Sequence, residues 1–134
     1  MSRTQDKSVL DPPTNEGSSM TIQKFAQLEV PGLLGEKEVH PGSLGDVKAE
    51  TRSLDVTIAN RPGCETGFWE CTPGSFPRTI KSGEIMHILA GAGSFQPEDG
   101  DKVNFAAGDT LFFPADTRGL WEIRETVRKL YVMV

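Results

Sequence analysis

The second half of the chain, residues 67–134, is a series of short apolar segments separated by turn residues. The segments are FWEC, EIMHILA, KVNF, DTLFF, LWEIRE and VRKLYVMV, and the breaks are TPGS, KSG, GAG, PEDGD, AAGD and PADTRG. Apolar residues alternate within the segments, and the turn signals recur at roughly the 8–12-residue spacing of sandwiches and small barrels. No stretch free of glycine and proline carries a helical apolar stripe. The pattern predicts an all-β closed sheet with essentially no helix.

The first half of the chain is less regular. Residues 1–20 are rich in Ser, Thr, Asp, Pro and Gly without a periodic apolar face, so we expect a disordered N-terminal arm. Residues 21–30, TIQKFAQLEV, are compatible with a first strand. Residues 54–60, LDVTIAN, alternate cleanly and are expected to open the barrel. A chain of 134 residues is the usual size of one domain, which we place at residues 21–134.

Charge and composition restrict the partners of the chain. Its 14 basic and 19 acidic residues give a formal net charge of -5. An acidic surface disfavours nucleic acid and anionic membranes, because both are bound through basic patches. The chain has no apolar run long enough to span a bilayer, and its N-terminus lacks the apolar core of a signal peptide. Cys64 and Cys71 have neither redox nor zinc-pair spacing. We therefore expect a cytoplasmic protein with free thiols.

The segments GFWECTPGSF, GEIMHILAG, AAGDTLFFPADTRGLWE and VRKLYV resemble the cupins, and within them the small single-domain proteins of the ureidoglycine aminohydrolase-type family. Glu84 and Gly91 match the end of the first cupin motif, and Gly108 and Pro114 match the start of the second. The resemblance covers about residues 54–134. It implies a cupin-type double-stranded β-helix, which is a jelly-roll barrel.

The metal ligands of that motif do not carry over. The motif's spacing before Glu84 puts Arg78 and Ile80, or Pro77 and Thr79, at the two histidine positions, and Gly119 stands at the position of the last histidine. The chain contains only two histidines, so one subunit cannot supply three histidines and a carboxylate. We therefore predict no metal ligands and no cofactor.

Parity along the strands sorts the remaining candidates. If Glu84 points inward, as the resemblance implies, Met86 and Ile88 share its face and His87 points outward. Arg78 takes a metal-ligand position near Glu84, where its guanidinium could replace the metal as the cationic centre; alternatively, it reaches solvent at the barrel rim.

Two tryptophans and a lysine complete the set of candidates. Trp69 and Trp121 either fill the core or form the apolar walls of a ligand pocket. The acidic residue that follows each of them, Glu70 or Glu122, must face the opposite side of the sheet. Lys129 lies on a largely apolar strand face, so it either extends to the rim or pairs with Glu70 or Glu122.

Three hypotheses for function remain. The first is a metal-free barrel that binds or transforms a small polar carboxylate, amide or ureido compound, with Glu84 as catalytic acid or base. Its substrate-binding residues would be Arg78, Trp69, Trp121 and Lys129. The second is a non-catalytic structural or protein-binding barrel. The third is a metal enzyme resembling ureidoglycine aminohydrolase with atypical ligands around Glu84.

The outer face predicts a homodimer. Parity assigns five apolar residues of two strands to that face: Ile85, Leu89, Leu130, Val132 and Val134. So much apolar surface is unusual on a small monomer. Residues 21–30 of the same subunit or of a second subunit are the expected cover.

Overall fold

The computed structural model describes residues 22–134, and the arm predicted over residues 1–20 lies outside them. The regular elements of the described part are a 3₁₀ turn at Gln27–Glu29, a helix α1 at Val30–Leu33 and eight strands. The strands are β1 Glu38–Val39, β2 Glu50–Val56, β3 Thr66–Cys71, β4 Gly74–Ile80, β5 Glu84–Pro97, β6 Val103–Ala106, β7 Thr110–Phe113 and β8 Thr117–Met133.

All eight strands belong to one antiparallel sheet that folds over on itself. Its main order is β1-β2-β3-β8-β5-β6, while β4 pairs with β8 and β7 pairs with β5. The 17-residue strand β8 organises the fold, because β4 pairs with its first half, β3 pairs with its second half, and β5 runs along most of its length. Both halves of the folded sheet therefore depend on β8.

The core lies between the two halves of the folded sheet and is strongly aromatic. Trp121 makes ring contacts with Phe95, Phe105 and Phe113 at centroid distances of 5.1, 5.4 and 5.9 Å. The predicted all-β jelly-roll fold is confirmed, with a single four-residue α-helix in residues 22–134. No helix in that range is long and apolar enough to cross a bilayer.

Two predicted breaks are wrong. The GAG segment does not turn the chain; it lies inside β5, where Gly91 has a φ of 87° and the pairing with β8 shifts register between Ile88 and Gly93. Glycine permits this bulge because it adopts positive φ without steric strain. The segments LWEIRE and VRKLYVMV are likewise joined in the uninterrupted β8.

The strand considered for residues 21–30 is also wrong for the part that the structure describes. Residues 22–26 are irregular, and the chain then enters the 3₁₀ turn and α1, where Pro31 lacks the N–H that a strand ladder needs. This segment covers part of the outer face of its own subunit. Phe25 packs edge-to-face on Phe68 at 5.4 Å, and the amide of Gln27 donates to the carbonyl of Leu89 at 3.3 Å.

We expect Gly91→Ala to destabilise the protein by about 1–3 kcal/mol more than Gly108→Ala does. Both glycines have positive φ, 87° and 97°, so both substitutions cost the strain of a left-handed backbone, about 1–2 kcal/mol. A Cβ at Gly91 would also collide with the backbone carbonyl of Thr126, whereas a Cβ at Gly108 meets no atom within 4 Å. Chemical denaturation of both variants tests this, and equal losses would contradict it.

Candidate functional site

A cavity of about 330 Å³ opens among strands β2, β3, β4, β5 and β8. Its lining combines charged groups with aromatic rings, and consists of His40, Thr51, Glu65, Trp69, Arg78, Glu84, Lys129, Tyr131 and Met133. Three of the lining residues alternate along the end of β8, because every second side chain of a strand faces the same side.

Glu84 is the centre of the site. Its side chain is only 1% exposed, and each of its two oxygens contacts a cation. Oε1 accepts a hydrogen bond from Nη2 of Arg78 at 2.9 Å, and Oε2 accepts one from Nζ of Lys129 at 2.8 Å. A buried carboxylate needs such partners, because an unpaired charge in the interior costs several kcal/mol. The inward orientation predicted for Glu84 and the inward alternative for Arg78 are what the structure shows.

The KSG turn between Arg78 and Glu84 predicts that the two side chains meet across a hairpin, and this prediction is wrong. Strand β4 pairs with the first half of β8, whereas the start of β5 pairs with β7 and with the end of β8. The contact between the two side chains therefore crosses the interior of the barrel. Arg78 is 26% exposed, so its guanidinium lies nearer to solvent than the carboxylate does.

Lys129 is the second cation of the site, and its predicted pairing with Glu70 or Glu122 is wrong. Its ammonium is buried beside Glu84 and lies 4.7 Å from the ring centroid of Trp69, with Trp121 and Tyr131 at 5.6 and 5.9 Å. Burial lowers the pKa of Lys129 to about 8, and the positive charge of Arg78 adds to this effect against the opposing influence of Glu84. Lys129 therefore loses its proton near pH 8, well below the ordinary lysine pKa of 10.5.

The two tryptophans have different positions. Trp69 lines the cavity and lies directly opposite Lys129 in the pairing of β3 with β8. Trp121 is 1% exposed and belongs to the aromatic core, although its ring is within cation–π distance of the Lys129 ammonium. Among the described residues its indole N–H has no hydrogen-bond acceptor. The structure thus places Trp69 in the wall of the cavity and Trp121 behind it.

Glu70 and Glu122 do not line the cavity. Glu70 lies on the opposite face of β3, where Arg52 bonds to its Oε2 at 2.8 Å and Arg128 bonds to its Oε1 at 3.0 Å. Burial favours a higher pKa for Glu70, but the hydrogen bonds and charges of the two arginines outweigh it and lower the pKa. The side chain of Glu122 is nearly half exposed, and its nearest cation is Arg124 at 4.0 Å.

His40 is a site residue that the sequence reasoning missed. Its ring stacks on Phe76 at a centroid distance of 4.0 Å, and its Nδ1 accepts a hydrogen bond from the backbone N–H of Gly42 at 3.0 Å. Burial lowers the pKa of His40, and the positive charge of Arg78 lowers it further. The turn after β1 holds the ring at the cavity, and no local sequence signal connects this turn to β4.

Tyr131 is a second lining residue that was not proposed for the site. Its hydroxyl donates a hydrogen bond to Oδ1 of Asp55 at 3.2 Å. Burial raises the pKa of Tyr131 to about 12, with a further contribution from the negative charge of Asp55. Tyr131 is two residues from Lys129 on the same strand, so parity along β8 was a signal that could have identified it.

The minor residues behave largely as expected. His87 faces away from the cavity, and its Nδ1 lies 2.8 Å from the hydroxyl of Thr110. Asp109 stabilises the turn before β7, because its carboxylate accepts a hydrogen bond from the backbone N–H of Ala106. Cys71 is a buried free thiol whose pKa is raised by burial to about 12, and Cys64 is also free.

This antiparallel jelly roll, with a polar cavity between its strands, defines the chain as a cupin. It belongs to the EutQ-like cupin domain family, whose sequence model matches residues 62–131. The resemblance to the ureidoglycine aminohydrolase-type family within the cupins stays a prediction. No curated protein matches the chain.

Solved structures agree with the fold. A putative ethanolamine utilization protein Q from Salmonella typhimurium LT2 is 26% identical, with a TM-score of 0.58 over 72% of this chain and 76% of that chain. The EutQ protein of Clostridium difficile is 21% identical, with a TM-score of 0.57 over 72% and 79%. A predicted oxalate decarboxylase from Thermotoga maritima is 21% identical, with a TM-score of 0.59 over 78% and 95%.

The residues at the cupin metal positions do not form a metal-binding set. Ile80 is a fully buried apolar side chain, Gly119 has no side chain, and Arg78 is a cation. Both oxygens of Glu84 already pair with positive groups. Within residues 22–134 no group of three or more His, Cys, Asp or Glu side chains lies close enough to hold a metal ion. The side chains present therefore favour an anion over a divalent cation.

We expect the stability of the protein to rise between pH 8 and pH 9. The unfolded chain keeps the Lys129 proton up to its ordinary pKa of 10.5, while the folded chain releases it near pH 8. Because the unfolded state then binds more protons, stability increases with pH by up to about 1.4 kcal/mol per unit. The raised pKa values of Cys71 and Tyr131 act in the opposite direction only above their ordinary values of 9.0 and 10.0.

Denaturation at a series of pH values checks this linkage. Lys129→Met should lose the rise, whereas Lys102→Met, at an exposed lysine, should keep it. A similar rise in the Lys129→Met variant would show that Lys129 is not its source.

Proposed function

We propose that this cupin binds a small anionic metabolite without a metal, using Arg78 and Lys129 as the cationic centre of the cavity. The observation that supports this most strongly is the sharing of one buried carboxylate, Glu84, between two cations. Apart from Glu65 at the exposed rim, the charged lining therefore has one positive charge in excess. A positive centre in a low-dielectric cavity attracts an anion.

The lining also indicates the chemistry of the ligand. Arg78 uses one hydrogen bond on Glu84, and a guanidinium has five N–H groups in a planar fork that matches a carboxylate. Trp69 and Met133 supply apolar surface beside it. A cavity of about 330 Å³ suits a small compound. These features support a carboxylate with a short polar extension, such as an amide, a carbonyl or a ureido group.

Acid–base chemistry on such a ligand would be carried by Glu84, which lies within proton-transfer distance of the Lys129 ammonium. A metal-free binding protein and a metal-free enzyme would therefore use the same site. The metal-dependent alternative has less support, because Arg78 and Lys129 already bind the two Glu84 oxygens that a metal would need. A cytoplasmic location stays a prediction, supported by the free cysteines Cys64 and Cys71.

Arg78→Met should abolish ligand binding at little cost in stability. Because Arg78 is partly exposed and Lys129 still neutralises Glu84, we expect a loss of about 1 kcal/mol or less. Thermal melts are measured with a panel of small carboxylates, amides and ureido compounds. We expect at least one carboxylate to raise the wild-type melting temperature and to leave that of Arg78→Met unchanged.

The matched control is Arg118→Met. Arg118 lies one strand away, next to the pairing partner of Arg78, and its side chain is exposed. This variant should respond to the ligand as the wild type does. If no compound shifts the wild-type melt, or if Arg78→Met retains the shift, the proposed anion site is wrong.

A second proposal concerns assembly, and an apolar patch on the outer face supports it. Phe112, Ile85 and Val132 stand side by side across β7, β5 and β8, and Phe112 is 73% exposed. Residues 22–27 cover only part of this face, near Phe68 and Leu89. We propose that a second copy of the chain covers the patch in a homodimer, since such an apolar row is costly in water.

Light scattering at micromolar concentration should give the mass of a dimer. Phe112→Asp should shift that mass to the monomer, because it puts a charge at the most exposed residue of the apolar row. Leu44→Asp, at an exposed leucine in the loop after β1, should leave the dimer intact. A monomeric wild type would refute the dimer.

A further inference from the structure

We propose that Lys129 captures the carbonyl carbon of a 2-oxo acid as an imine while Arg78 holds the carboxylate of the same molecule. This inference rests on the proposed anion site and names its substrate class. The group it uses is the ammonium nitrogen of a lysine that lines the cavity and is otherwise almost fully buried.

The geometry places the two groups for one small molecule. Nη2 of Arg78 and Nζ of Lys129 contact the two oxygens of a single carboxylate at 2.9 and 2.8 Å, so both groups lie at Glu84. In a 2-oxo acid, the electrophilic carbon is bonded directly to the carboxylate carbon. A ligand whose carboxylate binds Arg78 therefore presents its carbonyl carbon next to Lys129, and positioning of this kind is what accelerates an addition reaction.

The number of cations around Glu84 argues against a purely structural role for Lys129. One buried carboxylate requires one cation, yet Glu84 has two, and the more buried of them lines the cavity. The ring centroids of Trp69 and Tyr131 lie 4.7 and 5.9 Å from the ammonium, and both residues line the cavity together with Lys129. Buried lysines beside another cation are the type that forms imines with carbonyl substrates.

The protonation state of Lys129 is compatible with attack. With a pKa of about 8, about a tenth of the side chains are neutral amines at pH 7. Burial is the main cause of this lowered pKa; the charge of Arg78 also favours the neutral amine, whereas Glu84, which bonds to Nζ at 2.8 Å, favours the ammonium. The nearby Cys71 has its pKa raised to about 12, so it stays a neutral thiol and does not compete as a nucleophile.

The step is balanced without any further reagent. Glu84 accepts a proton from Nζ, the nitrogen lone pair forms a C–N bond, the carbonyl π bond breaks, and the resulting alkoxide takes a second proton from the attached nitrogen to become a hydroxyl group. Loss of that hydroxyl as water, with the proton returned by Glu84, leaves the C=N bond. One amine and one carbonyl compound thus give one imine and one water.

Borohydride trapping with pyruvate tests the inference on the full chain. We expect reduction to fix a mass gain of one pyruvic acid less one oxygen atom, and peptide mapping to locate it at Lys129. Lactate, which has a hydroxyl in place of the ketone, is the matched control ligand and should give no adduct. Arg78→Met should lower the yield at least tenfold, and Lys129→Met should abolish it.

Mapping in the wild type keeps the test decisive even if Lys129→Met does not fold. An adduct spread equally over exposed lysines such as Lys24 and Lys102 would overturn the inference. If pyruvate and lactate both raise the wild-type melting temperature but no adduct forms, imine formation is wrong and the anion site stands. If no carboxylate of the panel raises the melting temperature and no adduct forms, the proposed function fails together with the inference.

Discussion

The structure depends on one buried carboxylate. Glu84 is removed from water at the start of β5, and its charge is tolerated because Arg78 reaches it from β4 and Lys129 reaches it from β8. Each of three strands thus contributes one charged group to the same point of the interior. These three groups together carry one net positive charge, so the contacts that stabilise the buried carboxylate also create the site.

The two halves of β8 contribute to different parts of the interior, the apolar core and the polar cavity. Strand β8 supplies Trp121 and Ile123 to the aromatic core in its first half, and Lys129 and Tyr131 to the cavity in its second half. The bulge at Gly91 lets β5 follow β8 along most of its length. One long strand pair thus carries both the packing that stabilises the barrel and the groups that define its chemistry.

The sequence predicted the fold well and the site in part. The cupin resemblance placed Glu84 inside, alternation then placed Met86 on the same face, and the cupin motif spacing put Arg78 near them. Local pattern could not identify the partner of Lys129, because that choice depends on how β4, β5 and β8 meet across the barrel interior. His40 was missed for the same reason: its turn reaches the cavity through the pairing of β1 with β2, far from β4 in sequence.

The charged contacts on the two faces of β3, a cation–π contact on one and ion pairs on the other, also constrain how this strand can pair. In the observed register Trp69 faces Lys129, and Glu70 faces Arg128 on the other side of the sheet. A slip by one residue would move every side chain of β3 to the opposite face. It would bring Glu70 beside Glu84 and leave its two arginines without their carboxylate. The charges that build the site thus also select the native register, because they destabilise the nearest misfolded pairing of the strand.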